Sequence, residues 1–357
     1  QTKKQKTARA RSMNSLLSEL VRHLAAGEAV ATATIVYQDG SAPRGAGSKL
    51  LADAHGLLCG TTGGGLAEAQ AIEACAQALR SGQAAELNFV MDGWLAANAE
   101  MICGGQVRLL IEPFLPDAAP LALLRQAAQD ERGGGCVALR PFPPDGALQW
   151  SLLTADGRLL GAPLTLTPEE LAKLRGMTEA AVLSVNGRTM FAEPYCPAQR
   201  LIIAGGGHVS RPTVTAGALA GFEVHVLDDR AEFARPERFP EAASTRVVPD
   251  FAHCFDELAP GTRDYIVIVT RGHLHDGTVL AQALRTEATY IGMIGSSRKK
   301  EQVFQRMREE GFTQTDLERV HSPIGLAIGA ETPEEIAISI IAQCIAHRRG
   351  APCERGR

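Results

Sequence analysis

One cysteine of this chain stands where a bulky ligand could reach its thiol. Cys103 is followed directly by Gly104 and Gly105, and residues without side chains leave room for a ligand to approach. A thiolate is a soft ligand, suited to a soft metal or to the handling of sulfur. We therefore predict that Cys103 is a reactive or ligating group; the alternative is a small structural residue in a tight turn.

A glycine-rich segment in the second half matches a phosphate-binding pattern. The apolar run 201–204 leads into the form G-x-G-x-x-S, made by Gly205, Gly206, Gly207, His208, Val209 and Ser210. A helix beginning near His208 would point its free N–H groups and positive dipole at phosphates. About twenty residues later stand Asp228 and Asp229, where this fingerprint has an acidic residue for the ribose hydroxyls. The pattern predicts a nucleotide, such as NAD, at this loop.

Two later loops also carry polar side chains after predicted strands. The segment 270–276 contains Arg271, His273 and Asp276, residue types that suit proton transfer or metal binding. The segment 295–300 combines glycine, the hydroxyl of Ser296 and positive charge before a helix, which is typical of an anion cradle. Helix caps and solvated charges are the alternative interpretation of both loops.

The elements that position these loops alternate in the second half. Short β-branched or apolar runs at 200–204, 223–227, 245–248, 265–269 and 289–293 are separated by helical segments. This alternation predicts a Rossmann-like, doubly wound parallel sheet. Ligands of such sheets bind at the carboxyl ends of the strands, where the three loops above would lie.

The first half has a different pattern. Helical segments at 14–26, 66–80 and 168–174 mix with strands at 29–37, 48–52 and 106–111, and hairpins are predicted at 152–160 and 182–190. This half is therefore predicted to be an α+β domain with a mostly antiparallel sheet. The proline-punctuated stretch 193–197 marks the predicted boundary.

Composition excludes several classes of protein. With 357 residues, two domains are expected. The formal net charge of −4 does not indicate a basic surface that would bind nucleic acid. No apolar run of about 18 residues is present, so no membrane association is expected. The eight cysteines form no C-x-x-C pair, which argues against structural zinc and favours reduced thiols in a cytoplasm. The basic segment 1–12 lacks an apolar signal core and is interpreted as a tail.

Taken together, the motifs resemble those of the xanthine dehydrogenase accessory factor family (XdhC/CoxI). The resemblance covers nearly all of the chain beyond the tail and rests on motifs in one order, at 40–44, 60–68, 103–105, 205–209, 228–230, 270–276, 291–296, 323–326 and 332–337. It implies three segments: the tail 1–12, an XdhC/CoxI-type domain 13–197, and a Rossmann-like domain 198–350.

The resemblance also implies a function. Members of this family bind the molybdenum cofactor, help it receive sulfur from a cysteine desulfurase, and deliver it to the apoenzyme of a molybdenum hydroxylase. The cofactor is an anionic pterin dithiolene with a phosphate, or with a pyrophosphate when a nucleotide is attached. The chain is thus expected to be a chaperone more than an enzyme, and a homodimer is expected from base rates alone.

Residues of the first half suit that cofactor. Gly63, Gly64 and Gly65 open onto a helix and offer backbone donors to an anion. Arg44 could pair bidentately with a phosphate. Cys103 becomes the candidate ligand of the cofactor's molybdenum. Glu68 lies on the first turn of the helix, where either a ligand contact or the helix dipole explains an acid.

Two other functions stay open at this point. The chain could be an NAD(P)-dependent oxidoreductase that uses the Rossmann domain and His273 as acid–base, or a scaffold between desulfurase and hydroxylase. The Cys103 turn and the first glycine loop are unnecessary for a simple dehydrogenase, and a scaffold needs neither glycine loop.

Overall fold

The computed structural model describes residues 15–40, 44–91, 105–118 and 120–352 of the chain. They form two compact units, divided in the sequence between Pro197 and Ala198. Each unit has its own sheets and its own buried core.

The first unit contains a five-stranded antiparallel sheet, sheet A, with strand order β3-β2-β1-β5-β4. Its strands are β1 (Val30–Gly40), β2 (Lys49–Asp53), β3 (Gly56–Gly60), β4 (Ala85–Met91) and β5 (Gly105–Phe114). Helices α1 (Leu16–Ala25) and α2 (Gly65–Ser81) belong to this part of the chain. Alternation along β1 places Ala31, Ala33 and Ile35 against α2, whose Ala71 and Cys75 are buried there. These small side chains let the helix lie close to the sheet.

A second five-stranded antiparallel sheet, sheet B, follows in the same unit, with order β8-β7-β6-β10-β9. Its strands are β6 (Cys136–Pro141), β7 (Ser151–Thr154), β8 (Leu159–Gly161), β9 (Ala181–Val185) and β10 (Arg188–Tyr195), accompanied by α3 (Leu121–Asp130) and α4 (Pro168–Arg175). The expectation of one antiparallel sheet is corrected to two. The sequence analysis missed β6, which joins the two predicted hairpins by pairing with β7 and β10.

A buried ion-pair network connects the two sheets. Arg140 on β6 donates to Glu112 on β5 at 3.0 Å and also to Glu193 on β10. The indole of Trp150 donates to the other oxygen of Glu112 at 2.8 Å. A buried charge without a partner is costly, so this network ties sheet A to sheet B at one place.

The second unit is built on sheet C, six parallel strands in the order β13-β12-β11-β14-β15-β16. The strands are β11 (Arg200–Ala204), β12 (Glu223–Asp228), β13 (Ser244–Val247), β14 (Tyr265–Ile268), β15 (Tyr290–Met293) and β16 (Val320–His321). The predicted Rossmann-like parallel sheet is therefore confirmed, and β16 extends it by one strand.

Helices cover both faces of sheet C. One face packs against α5 (Ser210–Leu219) and α9 (Pro333–Arg348) through Val214, Ile340 and Cys344. The other packs against α6 (His273–Leu284) and α7 (Ser297–Glu309), with the short α8 (Gln314–Glu318) leading into β16. Sheet C is thus doubly wound. Among the described residues, no helix has the length and apolar character needed to cross a membrane.

Candidate functional site

The strands of sheet A bring three distant motifs to one end of the sheet. Gly40 at the end of β1 pairs with Gly105 at the start of β5, and Gly105 also pairs with Met91 at the end of β4. On the same side of the sheet, β2 begins at Lys49 and β3 ends at Gly60, although Lys49 pairs with Thr34, six residues before Gly40 along β1. In the chain, segment 41–48 joins β1 to β2, segment 61–64 joins β3 to α2, and segment 92–104 joins β4 to β5. All three begin at strand ends on the same side of the sheet, which we call the loop end of sheet A.

The predicted residues of the first unit belong to these segments, except for Gly65 and Glu68, which lie on the first turn of α2. Arg44 is exposed, and the glycine loop 60–65 begins directly at the end of β3. Cys103 and Gly104 lie outside the described residues; the next residue in the chain, Gly105, begins β5 at the loop end. The backbone register thus relates motifs that are about sixty residues apart in the sequence.

A carboxylate of the protein fills the first glycine loop. Glu68 on α2 accepts the hydroxyl of Thr61, the N–H of Thr62 at 2.9 Å and the N–H of Gly64 at 3.2 Å. The N–H of Gly63 donates to the Thr61 hydroxyl at 3.0 Å. The hydrogen bond from Thr61, supported by those from the backbone, lowers the pKa of Glu68. Some of the backbone N–H groups that were expected to bind a ligand phosphate therefore bind Glu68. The N–H groups of the first turn of α2, from Gly65 onward, are left for a ligand.

The start of the loop is closely packed. Gly60 has φ +81°, and a Cβ there would lie 2.4 Å from the carbonyl oxygen of Lys49. On the neighbouring strand β2, the ammonium of Lys49 pairs with Glu193 and donates to the Tyr195 hydroxyl at 3.0 Å. Burial lowers the pKa of Lys49, and the charge of Glu193 only partly offsets this. The sequence analysis missed Lys49 and Glu193, because isolated charges in strands usually indicate a solvated face.

In the second unit, the glycine loop follows β11 at the carboxyl edge of sheet C. A Cβ on Gly205, whose φ is +111°, would lie 2.5 Å from the carbonyl oxygen of Val269, and one on Gly206 would lie 2.6 Å from that of Phe233. Gly207 has nothing within 4 Å of such a Cβ and no positive φ. His208 is exposed, and α5 begins at Ser210, slightly later than predicted. The open space at Gly207 is where a ligand could approach the backbone.

Asp228, the predicted ribose acid, is turned inward. It is buried, and it accepts the Gly206 N–H at 2.7 Å. It also accepts three N–H groups of Arg230, from the backbone at 2.9 Å, Nε at 2.9 Å and Nη2 at 3.0 Å. Burial alone would raise the pKa of Asp228, but the hydrogen bonds from Arg230 and Gly206 outweigh it and lower the pKa. In this structure Asp228 braces the glycine loop.

Asp229 and Arg271 form an ion pair above the same edge. Nη2 of Arg271 lies 2.7 Å from Oδ2 of Asp229. Arg271 follows β14 and Asp229 follows β12, and β11 lies between those two strands in the sheet. The pair therefore crosses the end of β11, where the glycine loop begins.

The remaining predicted residues lie at the starts of α6 and α7. The carboxylate of Asp276, on the first turn of α6, is fully buried; it accepts the Thr270 hydroxyl and pairs with Lys299. Ser296 is exposed and caps α7 by accepting the Lys299 N–H at 3.3 Å. His273 is the first residue of α6. Catalytic roles for His273 and Asp276 and a binding role for Ser296 stay predictions, and the buried ion pair gives Asp276 a structural role as well. The described parts of the chain hold no group of three or more His, Cys, Asp or Glu side chains placed to bind a metal ion.

Comparison with protein families gives two matches. The family described as XdhC and CoxI matches residues 23–90, which include the first glycine loop. The family described as the XdhC Rossmann domain matches residues 201–344, which include all the predicted residues of the second unit.

Individual proteins are similar as well. The molybdenum cofactor insertion chaperone PaoD of Escherichia coli is 22% identical over 92% of this chain and 86% of its own length. A protein of Bacillus subtilis described as a probable xanthine dehydrogenase subunit is 30% identical over 45% of this chain and 46% of its own. This chain spans less than half of the length of the two curated relatives that match at 30% identity or more. The crystal structure of a protein described as a xanthine dehydrogenase, from Bacillus halodurans, superposes with a TM-score of 0.76 at 26% identity, covering 94% of this chain and 96% of that one.

Proposed function

The chain belongs to the XdhC and CoxI family, whose two models together match more than half of it, and on that premise we propose that it is a maturation chaperone for molybdenum enzymes. It binds the molybdenum cofactor, protects it, supports its sulfuration and inserts it into a molybdenum hydroxylase of the xanthine dehydrogenase or aldehyde oxidoreductase type. The similarity to PaoD over most of both chains supports the insertion role. A cysteine desulfurase as sulfur donor, a cytoplasmic location and a homodimeric state are further parts of the proposal.

The observation that carries this proposal is the loop end of sheet A. Three motif segments that a simple dehydrogenase would not need begin at strand ends on the same side of one sheet. They supply an exposed guanidinium at Arg44, the N–H groups of the first turn of α2 and, in the chain two residues before Gly105, the thiol of Cys103. These are a phosphate-pairing group, anion donors and a soft ligand.

The residues fit an anionic pterin with a sulfur-ligated metal. Arg44 would pair with its phosphate, and Cys103 would hold its molybdenum or the labile sulfur. The cofactor supplies the molybdenum centre with which the client hydroxylase oxidises its substrate. This chain's own part is to bind, orient and shield the cofactor. Glu68 and Gly60 fix the glycine loop, and the ion pair of Lys49 and Glu193 joins β2 to β10.

The test is the molybdenum and pterin content of the full chain purified from a molybdenum-replete host. We expect both in equal amounts, and we expect the loaded protein to activate a cofactor-free hydroxylase. Arg44→Gln should lower the retained cofactor about tenfold, since a bidentate charged pair is lost. Arg188→Gln, at another exposed arginine of the same unit, is the matched control and should retain it.

A wild-type protein that purifies and refolds without molybdenum or pterin, and that does not activate the hydroxylase when cofactor is added, contradicts the proposal. Equal losses in both arginine variants would remove Arg44 from the binding role while leaving the chaperone function in place.

A further inference from the structure

The two acids at the end of β12, Asp228 and Asp229, already pair with arginines. We infer that the carboxyl edge of sheet C selects its ligand by phosphate charge and not by ribose hydroxyls, and that Arg271 is the residue that receives the phosphate, held by Asp229 until the ligand binds. The ligand class is a phosphate or pyrophosphate ester. This inference does not depend on the molybdenum cofactor being that ligand.

The first step concerns the acceptor capacity of Asp228. An ionised carboxylate has about four lone-pair positions for hydrogen bonds. Asp228 accepts two N–H groups on each oxygen, one from Gly206 and three from Arg230. Its side chain is also buried. A ribose hydroxyl that donated to Asp228 would have to displace a bond that shapes the glycine loop or one that holds Arg230.

The second step concerns the position of the Asp229–Arg271 pair. The pair joins the segments after β12 and β14, on the two sides of β11. The Val269 N–H donates to the carbonyl of Ala204 at 2.9 Å, and the Gly205 N–H donates to that of Leu227 at 2.7 Å, so the three segments stay close at this edge. The guanidinium of Arg271 therefore lies at the same edge of sheet C as the glycine loop 205–209, whose N–H groups would bind a phosphate.

The third step concerns how easily the pair opens. The side chain of Arg271 is 53% exposed, and that of Asp229 is 15% exposed. Water and salt reach the half-exposed Arg271 and weaken the pair from that side. Asp229 also faces Arg230, whose Nε lies 3.7 Å from its Oδ1, so it keeps a positive neighbour when Arg271 turns to a ligand. A phosphate can offer Arg271 two charged oxygens in place of one carboxylate oxygen, and the open space at Gly207 admits it. The phosphate would then replace Asp229 as the partner of Arg271.

A site that binds ribose hydroxyls through Asp229 predicts a different effect of one substitution on ligand affinity. If Asp229 accepted ribose hydroxyls, Asp229→Asn would weaken nucleotides and leave inorganic pyrophosphate unchanged. If Asp229 holds Arg271, the same change frees the guanidinium and removes a negative charge, so pyrophosphate binds more tightly. The sign of the effect therefore distinguishes the two roles.

The experiment is calorimetric titration of the full chain with inorganic pyrophosphate and, separately, with NAD. We expect wild-type protein to bind pyrophosphate, with an affinity that falls as salt rises. Asp229→Asn should tighten pyrophosphate binding up to about fivefold, and Arg271→Gln should weaken it about tenfold. Arg271→Lys, which keeps the charge but not the fork, should lie between wild type and Arg271→Gln.

Glu301 and Arg308 form the matched control pair, on α7, with 3.0 Å between Nη1 and Oε1 and similar exposure of the arginine. Glu301→Gln and Arg308→Gln should leave both affinities unchanged. The inference is overturned by absence of pyrophosphate binding to wild type, by an Asp229→Asn variant that binds NAD less tightly and pyrophosphate equally, or by an Arg271→Gln variant that binds as wild type does.

Molybdenum content measured on the same variants separates this inference from the proposed function. If Arg271→Gln loses pyrophosphate but retains molybdenum, the inference stands and the cofactor is held elsewhere. If wild type retains molybdenum but substitutions of Arg271 and Asp229 leave pyrophosphate affinity unchanged, the chaperone function stands and the inference fails.

Discussion

Both glycine-rich loops of this protein hold a carboxylate against their backbone, but the carboxylates come from different places. In the first unit, Glu68 comes from the helix that follows the loop and takes the N–H groups of Thr62 and Gly64. In the second unit, Asp228 comes from the neighbouring strand β12 and accepts only one N–H of the loop backbone, that of Gly206. The second loop therefore keeps the space at Gly207 open, whereas the first is closed at its centre.

This difference shows that glycine content does not by itself identify a phosphate-binding loop. What matters is which N–H groups the protein already satisfies with its own acids. The first loop is a preformed turn that already holds an anion, Glu68, so under the proposed function its ligand contacts would come from beside it, at Arg44, at the first turn of α2 and in the segment of Cys103. The second loop has open space at Gly207, where we propose that an anion binds to the backbone.

The leading glycine of each loop should be the most sensitive position. Gly60 and Gly205 have positive φ, and an added Cβ would lie 2.4 Å and 2.5 Å from a carbonyl oxygen. We expect Gly60→Ala and Gly205→Ala each to lower the free energy of unfolding by about 3 kcal/mol, from backbone strain and overpacking. Urea unfolding followed by circular dichroism measures this. Gly207→Ala is the control and should change it by less than about 0.5 kcal/mol; equal losses at all three positions would show that packing does not distinguish these glycines.

Glu68→Gln should have a smaller, pH-dependent effect. Hydrogen bonds lower the folded-state pKa of Glu68, so its contribution to stability is complete above the unfolded-state value of about 4.3 and is lost as the pH falls through the folded-state value. We expect the variant to be about 1 kcal/mol less stable at pH 7, and the difference to shrink below about pH 4. Urea unfolding at several pH values tests this, with Glu73→Gln, an exposed position of α2, as control. A difference that does not change with pH would mean that the charge of Glu68 is irrelevant to the loop.

Gly207→Val should separate binding from stability in the second loop. Its position is open and has no positive φ, so we expect the free energy of unfolding to change by less than about 1 kcal/mol. The branched side chain would fill the space a phosphate needs, so pyrophosphate binding should be lost. Gly261→Val, at a position just as open but before β14, should bind normally. If Gly207→Val binds pyrophosphate like wild type, the open loop is not the anion site.

The sequence predicted the strands better than the partners of the loops. Strict alternation of apolar runs and helices was enough for sheet C, because parallel strands need helical crossovers. The second antiparallel sheet was missed because β6 follows three glycines, 133–135, and its run is short. The role of Asp228 could not be read from its position, since the same offset fits a ribose contact and a bond to Gly206. Which of the two forms depends on Arg230, whose side chain folds back onto Asp228.

The thiol chemistry should belong to the first unit alone. In the described part of the second unit the cysteines, Cys254 and Cys344, are buried in the core, so we expect the soft ligand for molybdenum or sulfur to come from the first unit, where Cys103 is the candidate. Cys103→Ser is nearly isosteric, and we expect it to change the free energy of unfolding by less than about 0.5 kcal/mol. A hydroxyl is a poor ligand for a soft metal, so cofactor retention and activation of a cofactor-free hydroxylase should both fall.

Cys59→Ser is the matched control for this prediction, because Cys59 lies on β3 in the same unit and burial raises the pKa of its thiol. A raised pKa keeps that thiol protonated and a poor ligand at neutral pH, so its loss should not affect retention. Two measurements on each variant are needed, a melting curve and the activation assay. If Cys103→Ser melts and activates like wild type, Cys103 is a structural residue and the backbone and Arg44 carry the binding. If melting and activity fall together, Cys103→Ala decides: because alanine can neither ligate nor hydrogen-bond, recovery of the melting temperature without recovery of activity would assign the thiol to the cofactor.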